Sequence, residues 1–177
     1  DPDVNISTLS YGIAVDYPTH VKLHPSIAIQ MCMSLQSWFH PLVYKRQYAN
    51  YKKWLSLEKD NRPLTVWLYL LNPMAEAKLI HKYHKFFPVL YPEHTGKYFT
   101  EIVNDGIRGF FAETSIEQHE LEGYLLARLS YDPSVGYREL IDEYFELYYG
   151  AAGAAMKEVY DTLERIGYNP DSYRPQV

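Results

Sequence analysis

Four short runs of the chain, residues 4–11, 27–34, 64–71 and 107–113, are rich in β-branched and aromatic residues and bounded by Gly, Pro, Asn or Asp, which predicts strands. In the third, period-two alternation sets Trp67 and Tyr69 on one face and Val66, Leu68 and Leu70 on the other. The aliphatic set belongs against helices, so the aromatic set turns the opposite way. Between the last three runs the apolar spacing lengthens to three or four. Residues 44–57 carry Tyr44, Tyr48, Tyr51 and Leu55, residues 74–86 carry Ala77, Leu79, Ile80 and Tyr83, and residues 94–103 carry Tyr98, Phe99 and Ile102. Each pattern predicts an amphipathic helix. Strands alternating with helices imply parallel pairing through crossover helices.

Beyond residue 113 the pattern is helical alone. Residues 116–129 place Leu121, Tyr124, Leu125 and Leu129 along one face, and Asp132-Pro133-Ser134 breaks it. Asp132 or Ser134 is expected to cap a next helix carrying Leu140, Ile141, Tyr144, Phe145 and Tyr148 up to a stop at Gly150. A last helix over 151–166 begins with small residues that admit a close neighbour, and Gly167 is expected as its C-terminal glycine cap.

A parallel sheet must cover both faces or close on itself. No Gly-rich nucleotide loop follows any strand, so no nucleotide cofactor is expected. Four strands of this kind fit half of an eight-stranded barrel better than a small doubly wound sheet. The expected fold is therefore α/β: the last four units of a (β/α)8 barrel over residues 1–115, then a closing helix and C-terminal helical segment over 116–177. Because the first strand begins within a few residues of Asp1, the chain reads as a piece of a longer barrel, with the N-terminal half of that barrel as its partner.

Composition narrows the function classes. A formal net charge of -5 leaves no basic footprint for nucleic acid, and no segment has the length and apolarity of a membrane span. Cys32 is the single cysteine. That rules out an intrachain disulfide and a thiolate zinc site, and its place inside a strand suits a buried, inert thiol. The marked bias is aromatic, with 18 Tyr, 7 Phe and 3 Trp, and it suits helix packing and sugar clefts equally.

The segments Asn5-Ile6-Ser7-Thr8-Leu9-Ser10-Tyr11, His24-Pro25-Ser26-Ile27-Ala28-Ile29-Gln30-Met31-Cys32 and Leu64-Thr65-Val66-Trp67-Leu68-Tyr69, followed by Gly106-Ile107-Arg108-Gly109-Phe110-Phe111-Ala112-Glu113 and Tyr148-Tyr149-Gly150-Ala151-Ala152, resemble a bacterial domain-of-unknown-function family found in carbohydrate-active proteins. The resemblance covers nearly the whole chain. Members of that family look like barrel glycosidases related to α-glucuronidases and β-hexosaminidases. The resemblance implies a barrel fold, a glycan ligand and a secreted or periplasmic setting. It also implies an upstream half that this chain lacks, including the fourth barrel strand that commonly carries a glycosidase's general acid.

In a parallel barrel the active face lies at the C-terminal ends of the strands. Glu113, at the end of the fourth run, is the candidate catalytic carboxylate; it can equally accept a substrate hydroxyl or cap the helix near residue 116. Glycosidases need two carboxyl groups roughly 5 to 9.5 Å apart, so Glu113 supplies half of a mechanism. Tyr11, Trp38, His40, Trp67 and Tyr69 are the candidate substrate contacts, although inward aromatics can also simply fill a barrel, and Trp54, on a helix, reads as core. His20 with His24 and His81 with His84 have pairwise ligand spacing but no third ligand nearby, so no metal is expected. Ser34 and Ser37 lie in no nucleophile elbow. The expectation is a glycoside hydrolase-like barrel that binds, and when complete hydrolyses, a poly- or oligosaccharide. A non-catalytic glycan-binding module and a helix-rich scaffold remain the alternatives.

Overall fold

The computed structural model describes residue 4 and residues 6–70, 90–115 and 117–169. In chain order the elements are β1 (Ile6–Ser10), β2 (Ile27–Met33), α1 (Pro41–Glu58), β3 (Leu64–Tyr69), α2 (Pro92–Asn104), β4 (Phe110–Glu113), α3 (Glu120–Tyr131), α4 (Tyr137–Tyr149) and α5 (Gly153–Gly167). The chain is α/β, with a four-stranded parallel sheet and several helices. The helix expected over 74–86 and the pair His81 and His84 lie outside the described residues. The chain divides into two compact units, Asp1–Tyr69 with Asp105–Glu113, and Leu70–Asn104 with Thr114–Val177.

The first unit holds the whole sheet. Its strands run β1-β2-β3-β4 in sequence order, every neighbouring pair parallel, with no reversal of order. Pairing of Ile29 with Leu64, Met31 with Val66 and Met33 with Leu68 stacks aliphatic side chains on one face, and all six are at most 3 % exposed. The burial of β3 alternates residue by residue, as expected of a pleated strand with one dry face. The opposite face carries Leu9, Gln30, Cys32, Thr65, Trp67 and Phe111, brought level by the registers. Leu9 and Phe111 on that face are exposed.

Helix α1 starts at Pro41, where a missing N–H costs nothing, and buries Tyr51, Trp54 and Leu55. Its attachment to the turn after β1 is specific. The Val15 carbonyl accepts from Ser10 Oγ, Asn50 Nδ2 and Trp54 Nε1 at 2.7, 2.7 and 3.3 Å. At the other end of α1, Arg62 and Glu58 form a buried pair at 2.6 Å. Arg62 Nη1 also donates to the carbonyls of His24 and Ile27, which ties the loop before β2 to the loop before β3.

The second unit is helical among its described residues. Leu121, Leu125, Leu126 and Leu129 of α3 are buried, as are Leu140, Ile141, Tyr144 and Phe145 of α4. Glycine sets two close approaches. A Cβ on Gly96 of α2 would sit 2.6 to 2.8 Å from Tyr137 ring and Cβ atoms, and one on Gly153 would sit 2.6 Å from the Phe145 carbonyl oxygen. Two expected caps are corrected. Asp132 accepts from the backbone N–H and hydroxyl of Ser134 instead of capping α4, whose N-cap is Gly136, because Asx-turn bonding is local and leaves Val135 and Gly136 between the turn and the helix. Gly167 closes α5 as a helical residue without positive φ, whereas Gly150, at φ +53°, takes the left-handed side after α4.

Candidate functional site

The C-terminal ends of the strands gather four of the six side chains singled out above. Tyr11 follows β1 directly, Trp67 and Tyr69 end β3, and Glu113 ends β4, paired in register with Tyr69. Their rings make a continuous run across the sheet. Tyr11 lies 6.3 Å from Tyr69, Tyr69 lies 6.2 Å from Trp67, and Trp67 lies 4.3 Å from Phe111, centroid to centroid. Cys32 is the small, buried residue opposite Trp67 on β2.

Polar groups are threaded through the same face. Trp67 donates its indole N–H to Glu113 Oε2 at 3.2 Å, which orients one carboxylate oxygen. Burial raises the Tyr69 hydroxyl well above its ordinary value, and the neighbouring Cys32, a hydrogen bond with Tyr11 and the Glu113 carboxylate add to it. Burial likewise pushes the Cys32 thiol up, against a lowering hydrogen bond from Tyr69. Tyr69 and Cys32 are therefore neutral donors at neutral pH, and Glu113 is the acidic group beside them. Tyr11 is 57 % exposed and Phe111 47 %, while Trp67 and Tyr69 are half-buried. The face thus presents a run of aromatic rings, tilted 36 to 50° to one another, flanked by hydroxyls and one carboxylate.

Trp38 and His40 sit elsewhere. Trp38 is 4 % exposed, packs edge-on against Tyr44 and Tyr48 of α1 and donates to Gln47 Oε1 at 2.8 Å. The same Gln47 oxygen accepts the Ser34 N–H, so Trp38 helps fasten the turn after β2 to α1. His40 is the N-cap of α1, half-buried, with Nδ1 enclosed and without a hydrogen-bond partner. Trp54 is core, 2 % exposed. Phe111 is not among the candidate contacts, although period-two alternation in the fourth run sets it on the face of Glu113; the β3–β4 register puts it opposite Trp67. His24 bonds Ser26 through Nδ1, and no group of three or more metal-ligating side chains occurs among the described residues.

The family model described as Domain of unknown function (DUF4838) matches residues 1–161. The chain belongs to that family. No curated protein and no solved structure matches it. All four converging side chains of the DUF4838 chain lie inside the matched span. So do β1 to β4 and α1 to α4, which makes the aromatic sheet face a feature of the matched domain.

Proposed function

We propose that this DUF4838 chain supplies the last four units of a glycoside hydrolase-like (β/α)8 barrel and that the C-terminal rim of its sheet binds a poly- or oligosaccharide. The observation that carries the reading is the convergence of Tyr11, Trp67, Tyr69 and Glu113 on one sheet face at the strand ends. A doubly wound sheet binds ligands where its strand order reverses; an unreversed order with one aliphatic and one aromatic face supports a barrel wall instead. A pyranose offers an apolar C–H surface to Trp67 and Phe111, and its hydroxyls meet Tyr11, Tyr69 and the free oxygen of Glu113. Hydrolysis requires a second carboxyl group, which the remaining half of the barrel is proposed to bring. A glycan ligand of this kind goes with a secreted or periplasmic setting.

Intrinsic fluorescence tests the binding site directly, because Trp38 and Trp54 are buried and Trp67 is half-exposed. Titration with neutral and uronic-acid oligosaccharides is expected to quench the Trp67 signal saturably. Trp67→Phe keeps a ring but removes the indole donor to Glu113, and Glu113→Gln removes the charge. Each is expected to weaken affinity by about 1 to 3 kcal/mol, the range for disturbing a charged hydrogen bond. Saturable binding that both substitutions leave unchanged would remove this face from the site.

A further inference from the structure

The second unit contains an arrangement that the proposed glycan site does not use. Helix α2 begins at Pro92 after Tyr91, and no short polar side chain stands there to cap it. A helix N-terminus leaves its first N–H groups without intrahelical partners. Here two glutamates from other helices take them. Glu122 of α3 accepts the Tyr91 N–H at 2.8 Å, and Glu164 of α5 accepts the N–H groups of Glu93 and His94 at 3.1 and 2.9 Å, one on each carboxylate oxygen. Three helices are therefore joined through one terminus by two acids.

On the Glu122 side the surroundings are closed and under-bonded, while Glu164 is half-buried. Glu122 and His119 are at most 1 % exposed. Glu122 Oε2 has no hydrogen-bond partner and stands 3.7 Å from His119 Nδ1. Both ring nitrogens of His119, the Tyr91 hydroxyl and the Thr95 hydroxyl are likewise buried without partners. Tyr91 stacks on Tyr168 at 5.3 Å and leans on His119 at 5.3 Å, and Tyr168 bonds His94 Nε2 at 2.7 Å. From α4, Arg138 pairs with Glu93 at 3.1 Å, and the Tyr137 phenol lies close enough to Glu93 and Glu164 to be raised by them, after burial. Charge balance decides what this does. A helix N-terminus offers roughly half a positive charge, whereas two ionised glutamates, Glu122 fully buried and Glu164 half-buried, bring two negative ones to the same terminus.

We propose that Glu122 and Glu164 form a proton-linked clasp on the α2 N-terminus, which joins α2, α3 and α5 and contributes most to the stability of the helical unit while one carboxyl is protonated, less when both are ionised. Burial pushes the Glu164 carboxyl up to about 7, with Glu122 and Glu93 adding to the rise and the two backbone N–H bonds opposing it. The sign follows from linkage. A carboxyl whose folded value lies above its ordinary 4.5 stabilises the fold at low pH, and that contribution is lost as pH rises from about 4.5 through 7. The clasp therefore acts as a pH-sensitive joint in the helical unit.

Urea denaturation of the full chain at pH 5.5 and pH 8 tests this, wild type beside Glu164→Gln, which keeps the shape and one acceptor. The folded-to-unfolded ratio of the wild type is expected to fall about tenfold or more between the two pH values, and Glu164→Gln to lose most of that dependence and to equal or exceed the wild type at pH 8. Equal pH profiles for the two proteins, or an equal loss in the variant at both pH values, overturn the clasp. Carboxyl carbon NMR of the wild type gives an answer that needs no variant to fold. One glutamate signal is expected to titrate with a midpoint above 6, and the absence of any glutamate midpoint above 5.5 overturns the proposal equally.

Discussion

Arg62→Met is expected to be among the most damaging single changes in the sheet unit, because it retains a long apolar stem while removing every donor. Arg62 and Glu58 are 8 % and 5 % exposed. The guanidinium bonds Glu58 Oε2 at 2.6 Å and the carbonyls of His24 and Ile27 at 2.8 and 2.7 Å, with a longer contact to Leu23. Without it the Glu58 carboxylate keeps the Tyr17 hydroxyl at 2.7 Å but no longer faces a cationic partner in that pair. Removing one member of a buried pair costs about 3 to 5 kcal/mol, because the other charge is left behind. The pair sits under loops and not in the deepest core, so the lower figure, about 3 kcal/mol, applies, a large share of a domain's usual 5 to 15 kcal/mol. Urea denaturation followed by circular dichroism at pH 7 measures it. The Arg62→Met, Glu58→Gln double variant should recover part of the loss, since the stranded charge goes while the two carbonyls remain unpaired. There is also a pH signature. Burial opposes ionisation of Glu58, but the hydrogen bonds from Arg62 and Tyr17 and the charge of Arg62 outweigh it and hold the carboxyl below its ordinary 4.5. That contribution is present above about 4.5 and lost as pH falls through the depressed value, so the wild type and Arg62→Met should converge in acid. A loss under about 1 kcal/mol at pH 7, within the range of an exposed ion pair, would refute the reasoning.

Gly96→Ala pits helix propensity against space. Alanine gains about 1 kcal/mol in a helix interior, but its Cβ would sit 2.6 to 2.8 Å from Tyr137 atoms, and overpacking of that kind costs about 1 to 3 kcal/mol. A net drop in melting temperature is expected, relieved by Tyr137→Leu in the same chain; a rise in the single variant would show that the contact yields freely. For Cys32, burial and a raised thiol predict native-state alkylation by iodoacetamide at pH 8 more than about tenfold slower than in urea, and equal rates would contradict the placement.

The parallel sheet was legible because each run announces itself locally. Leu64, Val66 and Leu68 alternate with Thr65, Trp67 and Tyr69, and the period of two needs no tertiary knowledge. The C-terminal helices were legible for the same reason at a period near four. What escaped was set by pairing across distance. Phe111 belongs with Trp67 only through the β3–β4 register. Trp38 was placed with the rim because the turn after β2 leads there, yet its indole is committed to Gln47, nine residues on. The α2 cap was invisible for a sharper reason. Capping is ordinarily read from residues next to the helix start, and here the acceptors come from Glu122 and Glu164, so nothing near Pro92 marks them. Arg62 and Glu58 lie four apart and look like an exposed helix pair in sequence; the buried carbonyls of His24 and Ile27 are what make them a joint.

Eighteen tyrosines left the chain equally suited to packing and to sugar binding, and the partners of their hydroxyls separate the two uses. Tyr17, Tyr51 and Tyr124 each donate to a carboxylate, of Glu58, Asp105 and Glu143, at 2.7, 2.8 and 2.5 Å. A ligand that displaced one of these would forfeit a hydrogen bond to a charged group, worth about 1.5 to 3 kcal/mol. Tyr149 and Tyr160 bond one another within the ring stack of α4 and α5, both packed against Phe145. Tyr11 and Tyr69 stand together, their ring centroids 6.3 Å apart, with Tyr11 exposed and the pair beside the half-buried Trp67. A sugar hydroxyl that bonds an exposed phenol such as Tyr11 strands no charge, so the exchange costs little. The proposed glycan site therefore falls where the fold sets tyrosine rings side by side on an open face, and the carboxylate-bound tyrosines are explained as structure.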